Sequence, residues 1–225
     1  PDDAFFSPNL FLEKLKLNLI AEGVEMVSQV DNIKFEIRQN LKLIDTNQGI
    51  FSGDQFVISA GVWSRELAKL LGLKILMQSG KGYSFTLENP VEMPRICSIL
   101  TEAKVAVTPM IEGLRFAGTM EVGPLNFHIN QRRVQGIKKS IASYFPSFQL
   151  SDFNEAEIWT GLRPCSPDGL PYIGRIKKLP NVLVATGHGL MGMSLGPITG
   201  KLIAEIASDQ SPRIEISSLA LERFH

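Results

Sequence analysis

The first segment of the chain carries apolar residues at helical spacing. Three of its leucines, Leu12, Leu15 and Leu19, fall on one helical face. Ser7 is a residue type that caps helices, and Pro8 follows it at the first helical position, where its missing N–H costs nothing. Gly23 supplies a stop signal. The pattern therefore predicts a helix between Ser7 and Gly23.

The next segment changes from helical spacing to short runs that are typical of strands. These runs cover 25–30, 33–38 and 41–46, and a turn follows at 47–49. Together they predict a small antiparallel meander. The apolar run 56–60 then ends at Gly61, and a continuous run of this kind predicts a strand that is buried on both faces of a parallel sheet.

A short helix follows this strand, with Ser64 as its predicted cap and Gly72 as its end. The order of helix, meander, buried strand and helix resembles the second half of a nucleotide-binding α/β domain. From residue 75 the pattern changes to short strands separated by Gly, Pro, Asn and Glu, which favours an antiparallel sheet. The predicted strands cover 75–77, 83–87, 96–100, 104–109 and 114–121.

The remaining elements return to alternating strand and helix signals. Asn130 caps a predicted helix that Pro146 ends. Two strands are predicted at 157–160 and 182–185, and Gly196-Pro197 is predicted to open a final helix. We expect three segments: 1–72 as part of a cofactor-binding domain, 73–150 as an antiparallel substrate domain, and 151–225 as a return to the first domain.

Composition narrows the functional classes. Acidic and basic residues balance at 23 each, so charge gives no reason to expect nucleic acid or an anionic membrane as partner. No apolar run reaches the roughly 18 residues of a membrane span. Cys97 and Cys165 match no metal or redox spacing, and we expect them to be reduced. Because the chain starts at Pro1 without a methionine, we expect it to be a piece of a longer protein.

Arg163 is the first candidate for binding chemistry. Its guanidinium can hold a carboxylate with two parallel hydrogen bonds, and Pro164 stiffens the backbone beside it. The alternative is a structural arginine that pairs with Asp168 or with a surface carboxylate. A small carboxylate ligand and an internal ion pair are both compatible with the sequence.

A glycine-rich loop is the second candidate. Gly187, Gly189 and Gly192 allow backbone to approach a planar ligand closely, and the helix predicted from Pro197 would point its positive end at that ligand. The alternative is an ordinary turn between a strand and a helix. His188, which lies within this loop, is more simply positional than an acid or base because no carboxylate partner is evident.

Tyr83 can either line a pocket or pack in the core of a strand. The three histidines form no metal spacing, and the chain contains no P-loop and no Gly-x-Ser-x-Gly motif. These absences argue against hydrolase and kinase chemistry and leave no predicted metal site.

Six segments resemble the FAD-dependent D-amino-acid oxidase and dehydrogenase superfamily, and in particular its bacterial D-amino-acid dehydrogenase branch. They are 56–64, 81–84, 118–121, 159–164, 166–171 and 186–189. The most specific part runs from Gly-Leu-Arg-Pro at 161–164 to Gly-His-Gly at 187–189. The resemblance implies an α/β fold, here as an α+β fragment: part of a Rossmann-like FAD-binding domain and an antiparallel substrate-binding sheet with helices.

The resemblance also implies roles for individual residues. Arg163 takes the position that binds the amino-acid carboxylate, and Tyr83 that of a pocket residue in the dehydrogenase branch. The residues implied to border FAD are Val27 on the adenine side, Ala60, Gly61 and Trp63 beside the cofactor, and Gly187, His188, Gly189, Leu190, Met191, Gly192, Met193 and Ser194 against the flavin ring. A helix N-terminus there favours the negative charge that reduced flavin gains.

Two features depart from the family pattern. Members begin with a strand, a Gly-x-Gly-x-x-Gly loop and an acidic residue for the ribose, and no such motif occurs near residue 1. Met193 stands where relatives often carry an aromatic residue. We therefore expect the parent protein to bind FAD, and this fragment to retain FAD poorly and to be inactive alone.

The implied activity is oxidative deamination of a D-amino acid by hydride transfer from Cα to flavin. The imine product would hydrolyse to a keto acid and ammonia. The implied acceptor is a quinone or another respiratory carrier, and the implied location is cytoplasmic with peripheral contact to the inner membrane. Two alternatives stay open: a related oxidase of glycine, sarcosine or proline, and a non-catalytic binding module derived from this fold.

Overall fold

The computed structural model describes residues 6–224. The helices are α1 (Pro8–Ala21), α2 (Ser64–Leu70), α3 (Gln131–Tyr144) and α4 (Gly192–Ala207). The strands are β1 (Lys34–Ile37), β2 (Leu41–Thr46), β3 (Gly49–Ser52), β4 (Phe56–Ile58), β5 (Gln78–Leu87), β6 (Ser98–Leu100), β7 (Val105–Met110), β8 (Gly113–Gly123), β9 (Trp159–Cys165), β10 (Tyr172–Ile176) and β11 (Leu179–Thr186). Short 3-10 turns lie at Gly61–Trp63, Leu150–Phe153, Ser217–Leu219 and Leu221–Phe224.

These elements divide between two compact units. The first unit contains the described residues up to Leu19 together with Gly80–Leu162. The second unit contains Ile20–Ser79 together with the described residues from Arg163 onward. The structural boundaries thus differ from the expected segments 1–72, 73–150 and 151–225, and the assignment of a function to each segment stays a prediction.

The first unit is built on a five-stranded sheet in the order β6-β7-β8-β5-β9. Both β6 with β7 and β7 with β8 pair antiparallel, which confirms the antiparallel prediction for these strands. Helix α3 buries Val134, Ile137 and Ile141. The Asn130 side chain accepts a hydrogen bond from the Arg133 N–H at the start of α3, so the predicted cap is confirmed.

Phenylalanine side chains form the centre of this first core. Phe85, Phe116 and Phe153 are almost fully buried, and their ring centroids lie 5.7–5.9 Å apart. Phe148 packs edge-on against Phe116 at 5.8 Å. Burying one such side chain contributes about 1.5–3 kcal/mol, and edge-to-face pairs add to this. Side-chain volume therefore stabilises this unit.

The second unit contains two small sheets. Strands β1, β2 and β3 form the predicted antiparallel meander. The other sheet has the order β10-β11-β4, in which β10 and β11 pair antiparallel while β11 and β4 pair parallel. The Asn181 side chain joins the two sheets, because its Oδ1 accepts from the Leu41 N–H at 3.1 Å and its Nδ2 donates to the Leu41 carbonyl at 2.7 Å.

Two predicted strands are wrong. Residues 25–30 form no strand, and Gln29 has a φ of 55°, which interrupts an extended backbone. Residues 75–77 also form no strand, although Ile75 and Met77 are buried in the core of the second unit. The apolar run at 75–77 therefore correctly indicates buried side chains, but a buried segment does not need to pair with a neighbouring strand.

Three finer predictions also need correction. Strand β4 pairs parallel with β11 as expected, but Val57 is 47% exposed, so β4 is not buried on both faces. Ser64 is the first residue of α2 and not its cap. Helix α4 begins at Gly192, and Pro197 lies inside it. The helix forms its first bond before the proline, from the Leu195 N–H to the Met191 carbonyl at 2.9 Å.

The overall class is as predicted, a mixed α/β protein with antiparallel and mixed sheets. Helix α1 also forms as predicted, and Gly23 follows it in the left-handed conformation with a φ of 87°. None of the helices within residues 6–224 combines the length and apolar character needed to cross a bilayer.

Candidate functional site

The candidate site begins where β11 ends. Gly187 and Gly189 have φ values of 84° and 54°, in the left-handed region that glycine adopts without strain. A Cβ atom on Gly187 would lie 3.1 Å from Cδ2 of Tyr172, so this loop packs its bare backbone directly on a buried aromatic ring. The sequence places glycine here because both the backbone angle and the close contact require it.

The segment around Arg163 pairs with this loop. The Gly189 N–H donates to the Pro164 carbonyl at 2.8 Å, and Cys165 forms an antiparallel bridge with His188. Arg163 is half-buried, and this burial lowers the pKa of its guanidinium, which remains charged because its ordinary pKa is very high. The structure thus brings together the two segments that the sequence singled out, and the role of Arg163 stays a prediction.

Helix α4 starts directly after the loop. Its N-cap residue is Met191, whose side chain makes no capping hydrogen bond to the described residues of the first turn. That turn carries no acidic residue. The first N–H groups of α4 therefore give this end a partial positive charge that favours an anionic partner. Gly192, Gly196 and Gly200 recur every fourth residue and lie on one face of the helix.

A hollow of about 370 Å³, here called the loop hollow, lies at these elements. It is lined by Val57, Ser59, Gly61, Pro164, Ala185, Thr186, His188, Gly189, Gly192, Gly196, Thr199, Gly200 and Ile203. Glycines form much of this wall, so backbone faces the space where side chains would otherwise project. A flat ligand can approach such a wall closely.

A chain of hydrogen bonds fixes the turn after β4 against the end of β11. The Ala60 N–H donates to Ser64 Oγ at 3.0 Å, and the Ser64 hydroxyl donates to Thr186 Oγ1 at 3.2 Å. The Thr186 hydroxyl in turn donates to the Gly61 carbonyl at 3.0 Å. Ser64 and Thr186 are buried, so these bonds hold Ala60 and Gly61 in place beside the loop hollow.

His188 has a partner on α4. Its Nε2 lies 2.9 Å from Thr199 Oγ1, which ties the glycine loop to the body of the helix. Burial lowers the pKa of His188, so the ring is neutral at physiological pH. The Cys165 thiol beside it also loses acidity, because burial raises its pKa. Neither side chain adds a charge to the loop hollow at pH 7.

A second hollow of about 510 Å³, here called the apolar hollow, is lined by Val27 and Ala60 among the predicted cofactor-binding residues. The remaining lining is largely aliphatic and aromatic, with Phe35, Phe51 and Leu67 as examples. Val57 and Ser59 line both hollows, so the two spaces adjoin within the second unit.

Tyr83 belongs to the first unit and lies in its core, with only 1% of its surface exposed. Its hydroxyl donates to Glu121 Oε2 at 2.9 Å and accepts from the Asn130 N–H at 3.2 Å. Burial is the main cause that raises its pKa. This placement matches the core tyrosine that the sequence allowed as an alternative. A substrate role stays a prediction, and it requires the hydroxyl to change partners.

The other predicted cofactor-binding residues line neither hollow. They are the buried Gly187 and the exposed residues Trp63, Leu190, Met191, Met193 and Ser194. Their contact with FAD stays a prediction. Among the described residues, no group of His, Cys, Asp or Glu has the arrangement of a metal site, and both cysteines are free thiols.

Sequence reasoning missed several residues of this region. Thr199 gave no signal, because a single threonine in a helix matches no motif. Thr186 belongs to the segment 186–189 that carries the resemblance, but the sequence assigns it no role of its own. Arg223 was also missed. It holds Asp168 through Nε and Nη2, both at 2.9 Å. Asp168 is thus bound by Arg223, although the sequence suggested it as a partner for Arg163.

Known proteins resemble this chain in both sequence and fold. Residues 1–206 match the family described as FAD dependent oxidoreductase. A D-amino acid dehydrogenase from Vibrio atlanticus (strain LGP32) is 37% identical over 90% of this chain and 48% of its own length. The chain spans about half the length of the curated relatives that it matches.

Solved structures share the fold. Glycine oxidase from Geobacillus kaustophilus superposes with a TM-score of 0.78 and 22% identity, covering 92% of this chain and 55% of that one. L-proline dehydrogenase from P. horikoshii superposes with a TM-score of 0.81 and 17% identity, covering 96% and 59%. With the family match over 1–206, these findings show that the chain belongs to the family of FAD-dependent oxidoreductases.

Proposed function

We propose that the protein containing this chain uses FAD to oxidise a D-amino acid, and that Arg163 binds the substrate carboxylate. The similarity to a relative named D-amino acid dehydrogenase supports the substrate class. The observation that carries the role of Arg163 is the 2.8 Å hydrogen bond from Gly189 N–H to Pro164 O, because it fixes the arginine segment beside the glycine loop.

The second unit fits FAD in two respects. The loop hollow has a wall of bare backbone at Gly189, Gly192 and Gly196, which suits a flat ring. The adjoining apolar hollow, with Val27 and Ala60 in its wall, suits an adenine. Their volumes of about 370 and 510 Å³ fall within the usual range of ligand sites.

Bound FAD would supply the acceptor for the hydride that leaves the substrate α-carbon. The protein's own part is orientation and electrostatics. Arg163 holds both carboxylate oxygens through its planar fork, which fixes the direction of the Cα–H bond. The first N–H groups of α4 stabilise negative charge at the loop hollow. His188 stays neutral because its pKa is lowered by burial, so it adds no competing charge.

We propose that activity belongs to the full-length protein and that residues 1–225 alone are inactive. The chain covers about half of the relatives' length, and no Gly-x-Gly-x-x-Gly loop for the pyrophosphate occurs near its start. Retention of FAD by the isolated chain is correspondingly weak in this proposal. Flavin absorbance after purification of the two forms measures the difference.

We also propose a quinone or another respiratory carrier as the electron acceptor, with the protein in the cytoplasm and in peripheral contact with the inner membrane. The support is the dehydrogenase branch that the sequence resembles and the dehydrogenase name of its relative. Comparing oxygen consumption with quinone reduction tests this part. Oxygen as the faster acceptor would overturn it.

Substitution of Arg163 in the full-length protein tests the central proposal. We expect Arg163→Ala to raise KM by about 30- to 900-fold, equivalent to about 2–4 kcal/mol, because a charged ligand group loses its partner. Arg163→Lys keeps the charge without the fork, so its effect should be intermediate. Arg213→Ala is the matched control, since Arg213 pairs with Glu205 away from both hollows.

A substrate panel separates this proposal from its rivals. It should contain D- and L-amino acids, glycine, sarcosine and proline. Oxidation of glycine, sarcosine or proline alone would overturn the D-amino-acid assignment while leaving the flavin chemistry intact. Full-length protein that purifies without yellow flavin absorbance and binds no added FAD would indicate a non-catalytic module. An unchanged KM in Arg163→Ala would falsify the carboxylate role.

A further inference from the structure

Arg223, close to the carboxyl end of the described residues, makes many contacts through its guanidinium group. Its side chain is only 9% exposed, and it holds both oxygens of Asp168. It also donates to the carbonyls of Leu170 at 2.8 Å and Pro171 at 3.3 Å. One guanidinium thus fixes the whole turn from Asp168 to Pro171, which is far more than a single exposed ion pair achieves.

The same guanidinium stacks on Tyr172. Its central carbon lies 4.0 Å from the centroid of the tyrosine ring. The ring is fully buried, and its hydroxyl donates to the Leu76 carbonyl at 2.7 Å, so the ring is held at both its face and its tip. Arg223 therefore contributes directly to the position of Tyr172.

Tyr172 in turn contacts the glycine loop. The backbone of Gly187 approaches the ring so closely that an added Cβ would lie 3.1 Å from Cδ2. Tyr172 also pairs with Thr186 in the register of β10 and β11, directly before Gly187. Any shift of the ring would therefore change the space available to the loop backbone.

The turn that Arg223 holds is also connected to the glycine loop through the backbone that precedes it. Asp168 follows closely after Cys165, and the segment Pro164–Cys165 pairs with His188 and Gly189. Fixing the turn limits the freedom of this segment. Arg223 is therefore connected to the glycine loop in two ways. It contacts the Tyr172 ring, which packs on Gly187, and it fixes the turn that follows the backbone segment containing Arg163.

We propose that Arg223 is a positioning residue for the candidate site: it holds Tyr172 against Gly187 and fixes the Asp168 turn that follows the segment 163–165, and thereby sets the shape of the glycine loop. This inference rests on the proposed function of the loop as the backbone wall that faces flavin. Arg223 lines neither hollow, so it acts through these neighbours and does not itself bind ligand.

The test compares Arg223→Met with Arg213→Met in the full-length protein. Arg213 is the matched control, because it lies in the same carboxy-terminal segment and pairs with Glu205 at 3.0 Å. Hydrogen exchange of the backbone amides over 186–191 is the first measurement, taken without added FAD. We expect exchange there to be about tenfold faster in Arg223→Met than in Arg213→Met, since the loop loses its support.

Flavin binding is the second measurement. We expect Arg223→Met to raise the Kd for FAD by about tenfold and to change the visible circular dichroism of the bound flavin, with the Arg213→Met protein unchanged. Faster loop exchange together with no flavin binding in any protein, wild type included, would support the positioning role and overturn the flavin function. Unchanged loop exchange with normal flavin binding would overturn the positioning role alone.

Milder variants keep the proposal testable if Arg223→Met does not fold. Arg223→Lys retains the charge and loses the fork, and Asp168→Asn retains the size and loses the charge. Both should accelerate loop exchange, by less than Arg223→Met. A Tyr172→Leu substitution added to Arg223→Lys should contribute less than it does alone, because the two residues act in series. Strict additivity of the two changes would contradict that order.

Discussion

The first unit and the second unit use aromatic rings differently. In the first unit, Phe85, Phe116 and Phe153 fill a core by contacting one another. In the second unit, the Tyr172 ring packs against the bare backbone of Gly187, and the next residues of the same loop line the loop hollow. The difference shows that the core of the first unit depends on the volume of its side chains, whereas the glycine loop of the second unit depends on the absence of a side chain at Gly187.

Removal of a ring from the first core should have the largest effect on stability. We expect Phe116→Ala to lower the free energy of unfolding by about 3–5 kcal/mol, because Phe116 is fully buried and the vacated space cannot close completely. Urea denaturation measures this. Phe127→Ala is the control, since Phe127 is 57% exposed and its loss should cost less than about 0.5 kcal/mol. A similar loss of unfolding free energy in both variants would contradict the conclusion that buried ring volume stabilises the first unit.

Addition of one methyl group to the glycine loop should have the next largest effect. We expect Gly187→Ala to cost about 1–3 kcal/mol, because alanine is strained at a φ of 84° and its Cβ would press on the Tyr172 ring. Unfolding by urea and FAD titration of the full-length protein are the measurements. Normal stability with normal FAD affinity would show that the loop tolerates side chains.

The same change in a helix should have the opposite sign. Gly136 lies within α3, its backbone is not left-handed, and a Cβ there would meet nothing within 4 Å. We expect Gly136→Ala to stabilise the first unit by about 0.5–1 kcal/mol, because alanine loses less backbone entropy on folding. A higher melting temperature is the expected readout. A loss of stability would mean that the glycine has a packing role not visible in α3.

A pH series gives the smallest and most specific effect. The hydrogen bonds from Arg223 lower the pKa of Asp168 to about 2, below its ordinary value of 3.8. This carboxylate therefore contributes stability above pH 3.8, and the contribution is lost as the pH falls towards 2. We expect the difference in unfolding free energy between Asp168→Asn and wild type to be constant near neutral pH and to shrink across that interval. A pH-independent difference would contradict the ion pair.

Local signals explain which parts of the fold the sequence could predict. The cap at Asn130 and the stop at Gly23 each depend on a few neighbouring residues, and both were identified correctly. The predicted start of α4 is wrong, because Pro197 favours the beginning of a helix, whereas the helix forms its first bond earlier at Leu195. Residues 25–30 have strand-like composition, but composition does not supply a pairing partner.

The site depends more on long-range contacts, and prediction was weaker there. The glycine loop and the Arg163 segment were both found from their residue types, and the structure places them against each other. The choice of partner for Tyr83 depends on Glu121, 38 residues away, and that for Asp168 depends on Arg223, 55 residues away. No spacing rule connects residues at such distances, so only the folded chain reveals these pairs.

The shared wall at Val57 and Ser59 has a practical consequence for ligand discovery. Val57 is nearly half exposed and borders both hollows, so small fragments bound in either one would lie close to the same side chain. A fluorinated amino acid at position 57 would serve as a single NMR reporter for both compartments. Its resonance would distinguish compounds that fill one compartment from those that bridge the two, before any enzymatic assay is in hand.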